Sequence, residues 1–153
     1  TNLKSHAGKY KSFLNIKADN YLSIKKSVDD LMISKKKLDN EIFFVQRMVE
    51  KIKFSGVLLT RNLENYSRTI NINYYDGNVS DVVTSGKGGS KSIEFYENDN
   101  YRLPKKFEKL YNAFVEIRDI TKEYDLDIEF AIGDKNKVYI LQVRKLIVPK
   151  TLG

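Results

Sequence analysis

The chain has no cysteine and no tryptophan, two prolines, two methionines and a single histidine in 153 residues. Without cysteine there is no disulfide framework, no thiolate zinc site and no thiol nucleophile. That composition fits a reducing compartment, so a cytoplasmic protein is expected. No run approaches the ~18 apolar residues of a membrane span, and no membrane partner is expected. No signal peptide is recognisable, and the chain opens abruptly, which reads as a piece of a longer protein.

Hydrophobic residues make up 41% of the chain, enough for a core, and the length suits one domain of ordinary size. Twenty-seven basic residues against 20 acidic ones leave a net charge of +7, which implies affinity for polyanions. Nucleic acid and a nucleoside triphosphate both meet that description. The basic residues are scattered among acids, apart from Lys35-Lys36-Lys37, which reads as a solvated helix end. No nucleic-acid-binding motif accompanies them, so nucleic acid is not the expected partner.

Strand and helix patterns are mixed, without repeats. Asp19-Asn20 can cap a helix running to about Lys37, with Ile24, Val28, Leu31 and Met32 on one face. Strands are expected near 42–49, 55–61, 69–75 and 92–96. Gly86-Lys87-Gly88-Gly89-Ser90 lacks Walker spacing and reads as a hairpin turn or bulge. Pro104 suits the first residue of a second helix reaching about Tyr124. Phe107, Leu110, Tyr111, Phe114, Ile117 and Ile120 would form its buried stripe. The composite is α+β, with mostly antiparallel strands packed against helices.

The last hairpin carries the most chemistry. Leu126, Ile128, Phe130 and Ile132 share one face of its first arm, and Asp127 and Glu129 share the other. On the second arm Tyr139, Leu141 and Val143 alternate with Ile140, Gln142 and Arg144. With Lys135-Asn136 as a two-residue turn, Ile132 faces Tyr139, Glu129 faces Gln142 and Asp127 faces Arg144. Directly opposed side chains stand roughly 5 Å apart at Cβ. One face of the hairpin then carries two carboxylates, an amide and a guanidinium. A carboxylate and an amide oxygen are hard donors suited to Mg²⁺, and a guanidinium suits phosphate. The pattern equally describes a solvated sheet face with an ordinary Asp127–Arg144 pair.

The wording of this hairpin, Asp127-Ile128-Glu129-Phe130 followed by Val138-Tyr139-Ile140-Leu141-Gln142-Val143-Arg144, resembles the end of the nucleotide-binding domain of the phosphoenolpyruvate synthase and pyruvate phosphate dikinase family. Three further segments resemble that family in the same order. They are Ser5-His6-Ala7-Gly8 with Phe13-Leu14-Asn15-Ile16, Val45-Gln46-Arg47-Met48-Val49, and Ser55-Gly56-Val57-Leu58-Leu59-Thr60-Arg61-Asn62. The resemblance runs from about Ser5 to Arg144. It implies an ATP-grasp fold and an enzyme that transfers a phosphoryl or pyrophosphoryl group from Mg·ATP to a histidine. That histidine lies on a separate swivelling domain, and a further domain carries the acceptor.

Residue by residue, the resemblance implies Glu129 and Gln142 as metal ligands and Arg144 as the catalytic arginine on the transferring phosphates. It implies Gln46 and Met48 beside the adenine, on a strand where Ile42, Phe44 and Met48 supply an apolar slot. Ser5, Ala7 and Gly8 fall on the loop near the phosphates. His6 stands outside the family's phosphohistidine motif and takes no catalytic role. Arg61 and Asn62 are open between a site role and a turn role.

This sequence departs from the family in four places. Lys145 replaces the usual proline after the final arginine, and Asn62-Leu63 replaces Asn-Pro. The Gly-Leu-Gly-Glu stretch is replaced by Tyr74-Tyr75-Asp76-Gly77 and Asp81-Val82-Val83-Thr84-Ser85-Gly86, as in a divergent branch of related phosphotransferases. The family's upstream lysine and Arg-Ser-Ser motif have no counterpart before Ser5. Residues 1–153 are therefore expected to be part of such an ATP-binding domain, inactive alone. Two other readings are a sibling kinase acting on glutamine or an antibiotic, and a non-catalytic basic binding module.

Overall fold

A computed structural model describes residues 12–34, 44–77 and 89–148. They belong to two compact units, Thr1–Met48 and Val49–Gly153.

The first unit holds helix α1, Tyr21–Ser34. Its start is the one the sequence signals: Asn20 Oδ1 accepts the Ser23 backbone N–H at 3.0 Å, satisfying one of the orphan donors of the first turn. Lys25 and Asp29, one turn apart, add a 2.6 Å ion pair on its surface. A strand was expected over 42–49, but residues 44–50 are irregular backbone. Phe44, Val45 and Gln46 are exposed, so the apolar residues there form no pleated, half-buried surface of the kind that holds a strand.

The second unit is a five-stranded, wholly antiparallel sheet in the order β3-β2-β1-β4-β5. Its strands are β1 (Phe54–Leu59), β2 (Ile70–Asp76), β3 (Lys91–Phe95), β4 (Leu126–Ile132) and β5 (Val138–Lys145). Helix α2, Glu108–Thr121, connects β3 to β4. Pro104 starts not α2 itself but the single 3₁₀ turn Lys105–Phe107 that leads into it.

Alternation sorts the sheet into two faces. Leu58, Ile72, Ile128, Phe130 and Ile132 lie on one, buried with Phe107, Leu110 and Phe114 from the helical layer. Full burial of such side chains contributes about 1.5–3 kcal/mol each. At one end of this core Phe54, Tyr74 and Phe107 pack ring on ring, and Lys106 Nζ lies 4.4 Å from the Phe54 and Tyr74 centroids while donating to Tyr74 Oη at 3.0 Å. The expected stripe of α2 holds except at its end. Ile120 is exposed: it stands one and two turns from Glu116 and Asn112 and shares their outer side, away from buried Leu110 and Phe114.

The hairpin β4–β5 departs from the simple count in one respect. Asp127 faces Arg144 and Glu129 faces Gln142, as expected, but Ala131, not Ile132, faces Tyr139. Lys135 and Asn136 do form the tight turn, both at positive φ, with Lys137 N–H donating to Asp134 C=O at 3.1 Å. Gly133 N–H then bonds Lys137 C=O, which shifts the ladder by one residue, and a bulge between Glu129 and Phe130 shifts it back. Val138 and Ile140 therefore pack on the core. Leu141, expected there, is the unpaired bulge residue and is 38% exposed, while Val143 keeps the core side opposite Ile128 but is 40% exposed.

Candidate functional site

Residues paired directly across an antiparallel ladder point to the same face. The face opposite the core thus carries two cross-sheet rows. One runs Glu94, Asn71, Leu59, Asp127, Arg144, and the other Ser92, Asn73, Val57, Glu129, Gln142. Polar side chains occupy both ends, with an apolar step on β1 between them. The sequence reading found the β4–β5 end. It missed the β2–β3 end, although Ile70-Asn71-Ile72-Asn73 alternates with period two and signalled a polar strand face.

At the β4–β5 end the structure brings Glu129, Gln142 and Arg144 onto one face of adjacent strands. Arg144 Nη2 donates to Glu129 Oε1 at 2.8 Å and lies 2.9 Å from Asp127 Oδ2. Asp127 is only 8% exposed, whereas the Glu129 side chain is 38% exposed and Gln142 is exposed. One guanidinium is shared by two carboxylates, a buried one and an accessible one. Asp127 was legible only as a cross-strand pair; its burial and its second role beside Glu129 come from the sheet.

Among the described residues no group of three or more His, Asp or Glu side chains is arranged to hold a metal by itself. A divalent ion at Glu129 would draw on the Gln142 amide oxygen opposite, on water and on ligand oxygens. The hard-oxygen donors present fit Mg²⁺, which takes few protein ligands and keeps several waters.

Gln46 and Met48 belong to the first unit, on irregular, exposed backbone rather than on a strand edging an apolar slot. Ser5, Ala7 and Gly8 lie outside the described residues, as do His6 and residues 78–88, which include the Asp81–Gly86 stretch that departs from the family pattern.

Arg61 and Asn62 both make bonds within the fold. Arg61 holds Asp125 side-on, Nε to Oδ1 at 2.6 Å and Nη2 to Oδ2 at 3.3 Å, and donates to Tyr66 C=O at 2.9 Å. Asn62 Oδ1 accepts the Glu64 N–H at 2.8 Å in an Asx turn, and its Nδ2 donates to Glu94 at 3.0 Å. That bond and a second from Thr69 Oγ1 at 2.8 Å hold the Glu94 carboxyl below its usual pKa.

Among the described residues no helix is long and apolar enough to cross a membrane. Comparison with protein-family models, with curated proteins and with solved structures finds no match.

Proposed function

We propose that this chain is the ATP-binding part of a phosphoenolpyruvate synthase-like phosphotransferase with an ATP-grasp fold. The single observation that carries this proposal is the register that sets Glu129 opposite Gln142 and Asp127 opposite Arg144 on the sheet face away from α2. The antiparallel sheet with helices on its other face agrees with the α+β class that the resemblance implies.

In this scheme Glu129 and Gln142 hold Mg²⁺, which neutralises phosphate charge when bound. Arg144 offers its guanidinium to the transferring group, and the Asp127 carboxylate keeps it oriented. The receiving histidine and the final acceptor belong to other domains of the parent protein, so the chain itself binds and positions the nucleotide. Phosphoryl transfer of this kind needs positioning and charge stabilisation from the protein far more than covalent chemistry.

Calorimetry with ATP and AMP, with and without Mg²⁺, tests the proposal. ATP binding should depend on Mg²⁺, and Glu129→Gln should remove that dependence while leaving AMP binding unchanged. Met48→Asp should weaken ATP and AMP alike, since both carry adenine. ATP binding indifferent to both Mg²⁺ and Glu129→Gln would overturn the site.

A further inference from the structure

The Arg144 guanidinium is incompletely used. Nη2 makes both of its ion-pair contacts, while Nε is buried without a hydrogen-bond partner among the described residues. Beside it, Asp127 Oδ1 is also buried without a partner. One of these atoms is a donor and the other an acceptor, and they belong to residues that face each other directly across the ladder. Orphaned buried polar atoms are costly, and here each is the other's natural partner.

The same sheet displays the geometry that would satisfy both. Arg61 holds Asp125 through Nε and Nη2 together, one nitrogen to each carboxylate oxygen. Arg144 and Asp127 are one contact short of this arrangement: Nη2 already lies 2.9 Å from Oδ2, and the Nε-to-Oδ1 bond is unmade. The competitor is Glu129, which takes the hydrogen bond of Nη2 at 2.8 Å.

We propose that Asp127 is a positioning residue that lets Arg144 exchange partners: Arg144 passes from the arrangement shared with Glu129 to a side-on pair with Asp127 alone, yielding the Glu129 carboxylate to a divalent cation. This rests on the metal site proposed above. It explains why a buried carboxylate stands beside an accessible one. Until a cation arrives, Glu129 is neutralised by the guanidinium. Afterwards Arg144 stays anchored next to the metal, with Nη1 directed away from the Asp127 carboxylate and open to a phosphate oxygen. Among the described residues, the ion pairs of Asp127 and Glu129 are with Arg144, whereas Arg61 and Lys145 pair with Asp125 and Glu123.

The test is an NMR titration of the ¹⁵N-labelled chain with Mg²⁺ alone, following the Gln142 side-chain amide and the Arg144 Nε–H. Gln142 reports arrival of the ion. The expected result is a Gln142 shift and, over the same concentrations, a downfield Arg144 Nε–H whose exchange with water slows at least about tenfold. In Asp127→Asn the Gln142 shift should persist and the slowing should vanish, because the amide offers one acceptor oxygen and its NH2 opposes the second guanidinium N–H, so the side-on pair is lost. Arg144→Lys keeps the charge but lacks the fork, so it should bind Mg²⁺ about fivefold more weakly than wild type. Equal Mg²⁺ affinity in Arg144→Lys would reduce Arg144 to a simple charge and overturn the exchange. A Gln142 shift without any change at Arg144 Nε–H would also overturn it, while leaving the metal site standing. No shift at either group would overturn the metal site and this proposal with it. The wild-type titration and Arg144→Lys decide the matter even if Asp127→Asn fails to fold.

Discussion

Glu129 faces Gln142 across the β4–β5 ladder, although its neighbour Phe130 faces Ile140. Leu141 is the extra residue between them, and from there to the turn it reverses which side chains of β5 reach the core. Strict alternation puts Leu141 inside and Ile140 outside; the bulge does the opposite. Ile140→Ala should therefore cost about 1–3 kcal/mol, the low end of a core truncation because Ile140 is only partly buried. Leu141→Ala should cost less than about 1 kcal/mol. Urea unfolding of the two variants decides the register, and a larger loss for Leu141 would refute it.

Gly56 lies on the core face of β1 opposite Tyr74. A Cβ there would meet Asn73 C=O at 2.0 Å and Tyr74 Cα at 2.7 Å, both backbone atoms that cannot rotate away. Gly56→Ala must push β1 from β2 at the middle of the sheet. The expected loss is about 3 kcal/mol or more, at the upper end for overpacking, seen as a lowered melting temperature. A variant as stable as wild type would contradict the close β1–β2 approach.

Arg61 and Asp125 join the end of β1 to the start of β4 through a fork that a lysine cannot reproduce. Arg61→Lys should lose about 1.5–3 kcal/mol. Asp125→Asn should lose a comparable amount, and the double variant less than the sum, since both changes remove one shared contact. Mg²⁺ affinity should be unaltered in Arg61→Lys. A selective loss of nucleotide binding with stability intact would instead return Arg61 to the site.

Glu94 yields a pH dependence. Hydrogen bonds from Asn62 and Thr69 hold its folded pKa below the ordinary value. A depressed carboxyl stabilises the fold fully above its unfolded pKa, about 4.3, and loses that contribution as pH falls through the lower folded value. Between pH 6 and pH 3 the unfolding midpoint of wild type should therefore fall further than that of Glu94→Gln. Parallel curves would show that these bonds do not favour the ionised form. The group is exposed, so the effect is a small one that weakens with added salt.

What the sequence determined by itself is local. Asn20 announces α1 because a short side chain can cap a first turn without help from the rest of the fold. The alternation of 126–132 makes a strand with one apolar face, and Lys135-Asn136 can turn within two residues. With the turn set, the pairs Asp127–Arg144 and Glu129–Gln142 follow by counting, and so most of the candidate site was legible.

Tertiary structure decided the rest, because it depends on which surfaces meet. The irregular backbone of 44–50 has apolar residues enough for a strand, and a strand also needs a neighbour to take its backbone bonds. The bulge at Leu141 cancels a shift made at Gly133, so each irregularity is readable only against the other. Ile120 extends the apolar run of α2 but falls outside the core, since it shares the outer side of the helix with Asn112 and Glu116 and the sheet covers the side of Leu110 and Phe114. The unmade bond between Arg144 Nε and Asp127 Oδ1 needed all of this: counting brings the two residues opposite, but only their shared burial beside Glu129 leaves both atoms without a partner.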